Sequence, residues 1–448
     1  MKTLRFSFVL IALVLVVGQH AARAQNYNTD ARRIAMGGVG DSSNIAASMV
    51  DPAQPYTVIP VPLGLIQVLG DFDLFNPTGD DFDPVRAIEL GSSPLHYTFG
   101  RSSGGDNPEQ RFINDLVNAR VNRDLSTYRG FRLPETLSAE GLASPGYGKT
   151  IKFAEQTSGA FHGVYIGAGP YLSFSSTLGV DPRLTDILAS EEPKYYRNST
   201  MQILNDSAVQ LAMSIIFGYR GRFALSGDVT PRDGLYLAAN YRYLRGFRYY
   251  EPDTMLRFDT DAQGLITLNP ATDPLTITNL ESSSGTGRAV DVGMQLVRNR
   301  WEVGVGINGI ANQIDWTDLT LTRYSLTSLF QGSDFNDQTL PQSATGVTVK
   351  LPVVTSGNVG FDNGEWAFSA DAVHGFNGNS FHGGVERRFG MFAVRGGARY
   401  SRERWDPTYG IGFGRKVAVD LAVFGTHTNL QDKRYTALAL SIRINQTP

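Results

Sequence analysis

From about Gly287 to Asn445 the chain repeats one pattern: short segments in which apolar residues alternate with small or charged ones, separated by tight turns. In the last segment Thr436, Leu438, Leu440, Ile442 and Ile444 fall on one face, and Tyr435, Ala437, Ala439, Ser441 and Arg443 on the other. Side chains of a strand alternate faces, so this is one apolar and one polar face. A half-buried strand of a soluble sheet also looks like this. Repetition over many consecutive segments, with charges regularly on the polar face, instead predicts an all-β chain: a transmembrane antiparallel barrel with lipid outside and water inside.

The turns predict how it is threaded. Short turns fall at Pro231–Gly234, Arg298–Arg300, Asp362–Gly364, Phe389–Gly390 and Gly414–Lys416, all on one side. Asn363-Gly364 in particular tolerates the positive φ of a tight hairpin. Longer links fall on the other side, near Tyr250–Gly285, Ile314–Gln342, Arg402–Thr408 and Thr426–Lys433. Short periplasmic turns and long external loops are the barrel pattern. Further strands are expected near Pro62–Leu69, Lys149–Gln156, Ala160–Thr177 and Asp206–Asp228, for a total of about 14 strands. Asn107–Ser126 and Asp181–Ser190 read as short helices inside long external links.

The first residues predict export. Lys2 and Arg5 precede the apolar run Phe6–Val17, and Ala22-Arg23-Ala24 offers a cleavage site, so residues 1–24 are expected to be a signal peptide cleaved after Ala24. No later stretch is long and apolar enough for a spanning helix. The chain has 448 residues, no cysteine and 42% hydrophobic residues, too few for a helical membrane protein but enough for a barrel in which alternate residues touch lipid. The formal net charge of -3 argues against nucleic acid as a partner.

Just after the signal, Ala31-Arg32-Arg33-Ile34-Ala35-Met36-Gly37-Gly38-Val39-Gly40 is followed by Asn44–Ala47 and Asp51-Pro52-Ala53. Near the other end stand Gly383-Gly384-Val385-Glu386, Val394-Arg395-Gly396-Gly397, Gly410–Gly414 and Asp420. Together these strings resemble FadL-like outer-membrane barrels, in particular the PorV/PorQ and TraF-like branch. The resemblance implies a barrel of about 14 strands over residues 59–448 and an N-terminal hatch over 25–58, with Met36, Gly37, Gly38, Gly40, Asp51 and Pro52 as hatch residues. A flexible linker into the first strand is the plainer alternative. Asp51 stands where the family usually carries Asn, and 71–147 has no counterpart. The implied function is passage of a small hydrophobic, fatty-acid-like molecule across the cell outer membrane of a Gram-negative host. The implied alternative is a non-transporting part of a secretion or conjugation apparatus that binds protein partners. Membrane lipid is the expected surrounding in either case.

The predicted lumen collects Arg242, Asp291, Glu302, Asp371, Glu386, Arg388, Arg395, Arg399, Asp420 and Arg443. Buried charges must pair or stay wet. Two readings follow: a structural ion-pair network, or a polar site in which Arg395 and Arg399 grip a carboxylate bidentately. Arg395, Arg399, Glu386, Arg388, Asp371 and Asp420 are the lumenal binding candidates. No enzyme is expected, since none of His96, His162, His374, His382 and His427 sits in a Ser- or Asp-rich motif. No cofactor or metal is expected either. Gly148-Lys149-Thr150 lacks the glycine a phosphate loop requires, Asp259–Gly264 lacks the closing Glu of a calcium loop, and Asp71, Asp73, Asp80, Asp81 and Asp83 read as a solvated acidic loop.

Overall fold

A computed structural model describes residues 30–38, 44–50, 56–64, 96–99, 108–117, 120–144, 146–156, 159–225, 230–269, 271–327, 335–340, 346–376, 378–401, 404–427 and 434–445. The expected signal peptide, the acidic run of 71–83 and Gly40, Asp51 and Pro52 lie outside these residues. Among the described residues no helix is long and apolar enough to cross a membrane.

Among the described residues, alternating side chains and tight turns give one antiparallel sheet of twenty strands. Several strands are segments of the same wall position, and the wall reduces to fourteen positions. β3 (Thr136–Ala143) and β4 (Tyr147–Glu155) together flank β5 (Phe161–Val180). Next come β6 (Thr200–Phe223), β7 (Gly234–Asp259), then β8 (Leu275–Ser282) with β9 (Ser284–Arg298). β10 (Trp301–Thr317) with β11 (Thr320–Leu326) is followed by β12 (Phe335–Leu340), β13 (Gly346–Lys350) and β14 (Val354–Asp362). β15 (Trp366–Gly375), β16 (Gly378–Phe389), β17 (Phe392–Ser401), β18 (Arg404–Gly414), β19 (Val417–His427) and β20 (Arg434–Asn445) complete the series. β20 then pairs with both β1 (Tyr56–Val61) and β2 (His96–Phe99). Val61 faces Leu440 and His96 faces the next rung, Ala439, so β1 and β2 pair with β20 on consecutive rungs and occupy one wall position.

The outer face carries an unbroken apolar belt, with Met213, Ile215 and Phe217 on β6, Val303, Val305 and Ile307 on β10, and Ile411 and Phe413 on β18 all exposed. Aromatic residues rim it. Trp301 packs on Phe361 and Phe392 on Phe413 at the short turns; Tyr400 packs on Trp405 and Phe381 at the other end. From Phe392 to Tyr400 a strand rises roughly 26 Å along its own axis, about the length expected of a tilted membrane-crossing strand. An apolar belt between two aromatic girdles is what a lipid-facing surface requires.

The wall is tall on one side only. β6 has 24 residues and β7 has 26, against 10 in β15 and β17. Above the belt the burial phase inverts. On β5 the lumenal residues Tyr171 and Ser173 are buried, but further up it is Ser176, Leu178 and Val180, on the opposite face, that are buried. The pairing to β6 runs through this region without a bulge, so the faces do not swap; their surroundings do. The outer face that meets lipid lower down is here covered by α1 (Pro108–Val117), α2 (Pro182–Ala189) and the 3-10 turn Leu125–Tyr128. Phe112, Tyr128, Leu184 and Leu188 pack there on Leu178, Val180, Met201, Ile203, Leu256 and Phe258. Asp181 caps α2 through Arg183 N, and Pro182 occupies its first turn, where a missing N–H costs nothing.

Three expectations change. The links over 250–285 and 314–342 are largely strand, because β7, β8, β11 and β12 continue the wall upward; in place of the link expected over Arg402–Thr408, β18 begins at Arg404 and pairs with Ser401 of β17. The first strand among the described residues is Tyr56–Val61, and most of the strand expected over Pro62–Leu69 lies outside the described residues. The helix expected over 107–126 is shorter, ending at Val117.

Arginine at Val305, mid-belt, should cost about 2–4 kcal/mol of stability in a bilayer, and Val305→Ala far less. Urea titration of vesicle-embedded protein, read by the mobility of unheated samples on gels, checks this. Equal midpoints for V305R and wild type would mean that Val305 does not face hydrocarbon.

Candidate functional site

The segment after the described N-terminus lies inside the wall. Ala31–Ala35 forms a single helical turn capped by Asp30, whose Oδ1 accepts from Arg32 N and whose Oδ2 accepts from the Tyr56 hydroxyl. The turn is anchored by Ala31 N donating to Ser441 Oγ at 3.1 Å and Gly37 N donating to Thr408 Oγ1 at 2.9 Å. Gly37 has φ +85, which a side chain would resist, and a Cβ there would lie 2.6 Å from Ala398 O. Lumen-facing glycines form the seat. A Cβ on Gly384 or Gly397 would come within 2.4–2.5 Å of the Met36 backbone, and one on Gly410 within 2.4 Å of Ala35 Cβ. Gly38 sits over His382, with an added Cβ 3.9 Å from the ring.

The segment then reaches the far wall. Asn44 Nδ2 donates to Met294 O at 3.0 Å and Gln295 Oε1 at 2.9 Å, and approaches Asn358 Oδ1 at 3.3 Å. Gly293, Gly304 and Gly306 leave the room it occupies. Ala46 packs with Tyr236, Ala238 and Val297. Residues 30–38 therefore touch β16–β20, and residues 44–50 touch β7, β9, β10 and β14, near the short-turn end.

Buried charge binds this segment to the wall. Arg32 grips Glu386 bidentately, Nε to Oε2 and Nη2 to Oε1, both at 2.9 Å. Glu386 also accepts from Arg388 Nε at 2.6 Å and Arg395 Nε at 2.5 Å. Arg395 Nη1 lies 2.9 Å from Asp420 Oδ1 but off the N–H direction, so it supplies charge there rather than a directed bond. Arg443 Nε donates to Asp420 Oδ2 at 2.8 Å, and Arg388 reaches Asp362 with two bonds of 2.9 Å. The lumenal candidates thus fall into two sets. Glu386, Arg388, Arg395 and Asp420 share one network. Asp371 pairs with His382 Nδ1 at 2.5 Å, and Arg399 reaches Asp406 at 3.5 Å and Gly425 O at 2.8 Å. Arg395 and Arg399 do not converge: the first is fully buried among carboxylates and the second stands over the Phe424 ring. Arg32, which closes the network, lies in a segment without periodicity and escaped the sequence reading.

Toward the tall end the lumen changes character. Tyr171, Leu244, Tyr249, Ile314 and Trp316 form a buried apolar layer, flanked by Val347, Val349 and Leu351. Trp316 stacks on Tyr249 with centroids 5.4 Å apart and donates from Nε1 to Gln210 Oε1 at 3.0 Å. Gly246 and Gly285 make its slot, since a Cβ on either would lie 2.5–2.6 Å from the indole. Above this layer Asp206, Glu251 and Asp253 bring carboxylate oxygens within 4.8 Å of one another. Loss of hydration, and then the charges of Asp206 and Glu251, push the exposed Asp253 carboxyl up to about 6.

No family model matches the chain, and no curated protein matches it. Similar solved structures include the toluene transporter TbuX of Ralstonia pickettii, at 13% identity over 74% of this chain and 93% of that one, with a TM-score of 0.30. The Pseudomonas putida toluene transporter TodX is 10% identical over 74% and 93%, at 0.29. Outer membrane phospholipase A from Escherichia coli is 10% identical over 52% and 79%, at 0.21. At these values the likeness carries no argument about cargo or chemistry.

Two outcomes follow from this geometry. Valine at Gly384 or Gly397 should unseat residues 31–38 and raise tryptic cleavage after Arg32 and Arg33 by about tenfold while the barrel stays folded, each lost kcal/mol of seating being about fivefold in exposure; unchanged cleavage would contradict the seating. A raised Asp253 pKa means that the folded state binds that proton more readily than the unfolded one. Stability should therefore be fullest below about pH 4, fall as pH rises to about 6 and level off above, modestly because the group is exposed. Asp253→Asn should flatten that part of a plot of thermal midpoint against pH, and an identical slope in D253N would exclude this carboxyl as its source.

Proposed function

We propose that the chain is an outer-membrane barrel for the passage of a small hydrophobic molecule, with residues 30–50 as a hatch across its periplasmic end. The observation that carries this reading is the apolar layer of Tyr171, Leu244, Tyr249, Ile314 and Trp316 on the lumenal face. A water-filled pore keeps that face polar. A layer of aromatic and aliphatic side chains on the lumenal wall suits a guest that leaves water for an apolar surface, at roughly 25 cal/mol per Å² buried. The hatch reading is supported by the glycine seat and by the Arg32–Glu386 clamp, which hold the segment across the lumen without covalent attachment. Fatty acids and hydrocarbons both meet the apolar requirement.

A partner-binding component of a secretion or conjugation apparatus is the second reading. It is favoured by the one-sided rim with its helical covering, which offers a large surface that passage alone does not need.

Uptake of labelled fatty acid and of a monoaromatic hydrocarbon into cells with the gene deleted and restored separates the two. Trp316→Ala and Tyr249→Ala should each reduce uptake by about tenfold, since removing a buried aromatic contact costs on the order of 1–3 kcal/mol of guest binding. Deleted cells that take up both compounds as fast as restored cells, together with a protein co-purifying in stoichiometric amount, would favour the assembly reading instead.

A further inference from the structure

The outer face ends abruptly at the top of the belt over β7, β9, β10 and β13. One rung is still apolar, with Tyr241 facing Val290. On the next rung Tyr243, Arg288, Gln313 and Lys350 stand side by side across four adjacent strands. On the rung above, Arg245, Thr286, Asp315 and Thr348 do the same. These residues point outward: Arg245 is registered with exposed Met213 and Tyr243 with exposed Ile215, both in the lipid-facing belt, while the neighbours Ile314 and Val349 pack into the lumen.

Among the described residues Arg245, Arg288 and Lys350 are exposed and make no hydrogen bond or ion pair. The local carboxylates are engaged elsewhere: Asp315 accepts from Thr348 Oγ1 at 2.5 Å, and Glu281 holds Arg248 at 2.7 Å. Three free cations against one carboxylate leave the two rungs at a formal charge of +2. Strands are about 4.8 Å apart, so Arg288 and Lys350 are roughly 10 Å apart at the backbone and Arg245 lies on the diagonal at roughly 7–8 Å. Long side chains at those spacings can converge on one phosphate or bracket a diphosphate, and guanidinium groups favour phosphate by bidentate bonding.

We propose that this patch is a binding site for a phosphorylated lipid headgroup of the external leaflet, with the acyl chains running down the belt beside Met213, Ile215 and Tyr241. A charged patch continuous with a lipid-facing surface selects an anion that carries its own apolar tail. The site rests on the reading of the belt as membrane-embedded, and the two can fail separately. A chain that stays soluble after signal removal without detergent sinks the belt before any lipid is added.

The test uses the full mature chain in a non-ionic detergent, titrated with diphosphoryl lipid A, with the same lipid stripped of phosphate, and with inorganic phosphate, and read by native mass spectrometry. Wild type should retain the phosphorylated lipid at least about tenfold better than the stripped one, and the R245Q/R288Q/K350Q variant should lose that preference. The R245K/R288K/K350R variant should keep the preference for the phosphorylated lipid, because charge is kept, but retain it less well than wild type where a bidentate guanidinium is lost. Unheated gel mobility verifies folding, and R288Q alone, with about a fivefold loss expected, serves if the triple variant does not fold. Equal retention of both lipids, equal binding by the glutamine variant, or displacement by equimolar inorganic phosphate would each overturn the proposal.

Discussion

Glu386 is the carboxylate on which the interior depends. It is 1% exposed and receives three arginines, one of them 354 residues away in the N-terminal segment. An ion left alone in such surroundings costs several kcal/mol, so each partner is obligatory once the others are in place. The consequence is geometric. Arg388 and Arg395 project from β16 and β17, whereas Arg32 must arrive from elsewhere, and it does so only if residues 31–38 lie flat on the wall. The glycines of β16, β17 and β18 give them the depth to do so. Charge and the absence of side chains thus cooperate: the first fixes which segment docks, the second lets its backbone come close.

The same economy governs the upper lumen, with the opposite chemistry. Gly246 and Gly285 open a slot that Trp316 fills, and Gln210 satisfies its only donor. The lumen therefore carries an ionic set on β14 and β16–β20 toward the short-turn end and an apolar layer on β5–β7, β10 and β13 toward the tall end.

Much of the wall could be read from the sequence because half of each strand faces lipid. Where that held, as in β16–β20, alternation identified the strands, their faces and the lumenal set containing Glu386, Arg395 and Asp420. Above the bilayer the rule loses its force. β8, β11 and β12 read as loops in the sequence because no lipid demands an apolar face there, and Pro252, Asp253 and the serines near 282–284 look like punctuation. The inversion of burial along β5 leaves no mark in composition, since Leu178 and Leu172 occupy the same face and differ only in what covers them. The Arg32 contact was hidden for another reason: a single helical turn has no period to detect. The inward glycines at 384, 397 and 410 were the available signal, since a lumenal face that repeatedly gives up its side chains is making room for something.

That inversion also works as a depth gauge. Lower down, the outer face of β5–β7 is wetted by lipid; higher up, the same face is occupied by Leu184, Leu188 and Tyr128. The junction between the two is set covalently by residue number, not by the bilayer. A barrel rimmed only by polar loops can ride up or down with membrane thickness. This one carries a collar on its outer wall, and the headgroups must stop where the collar begins.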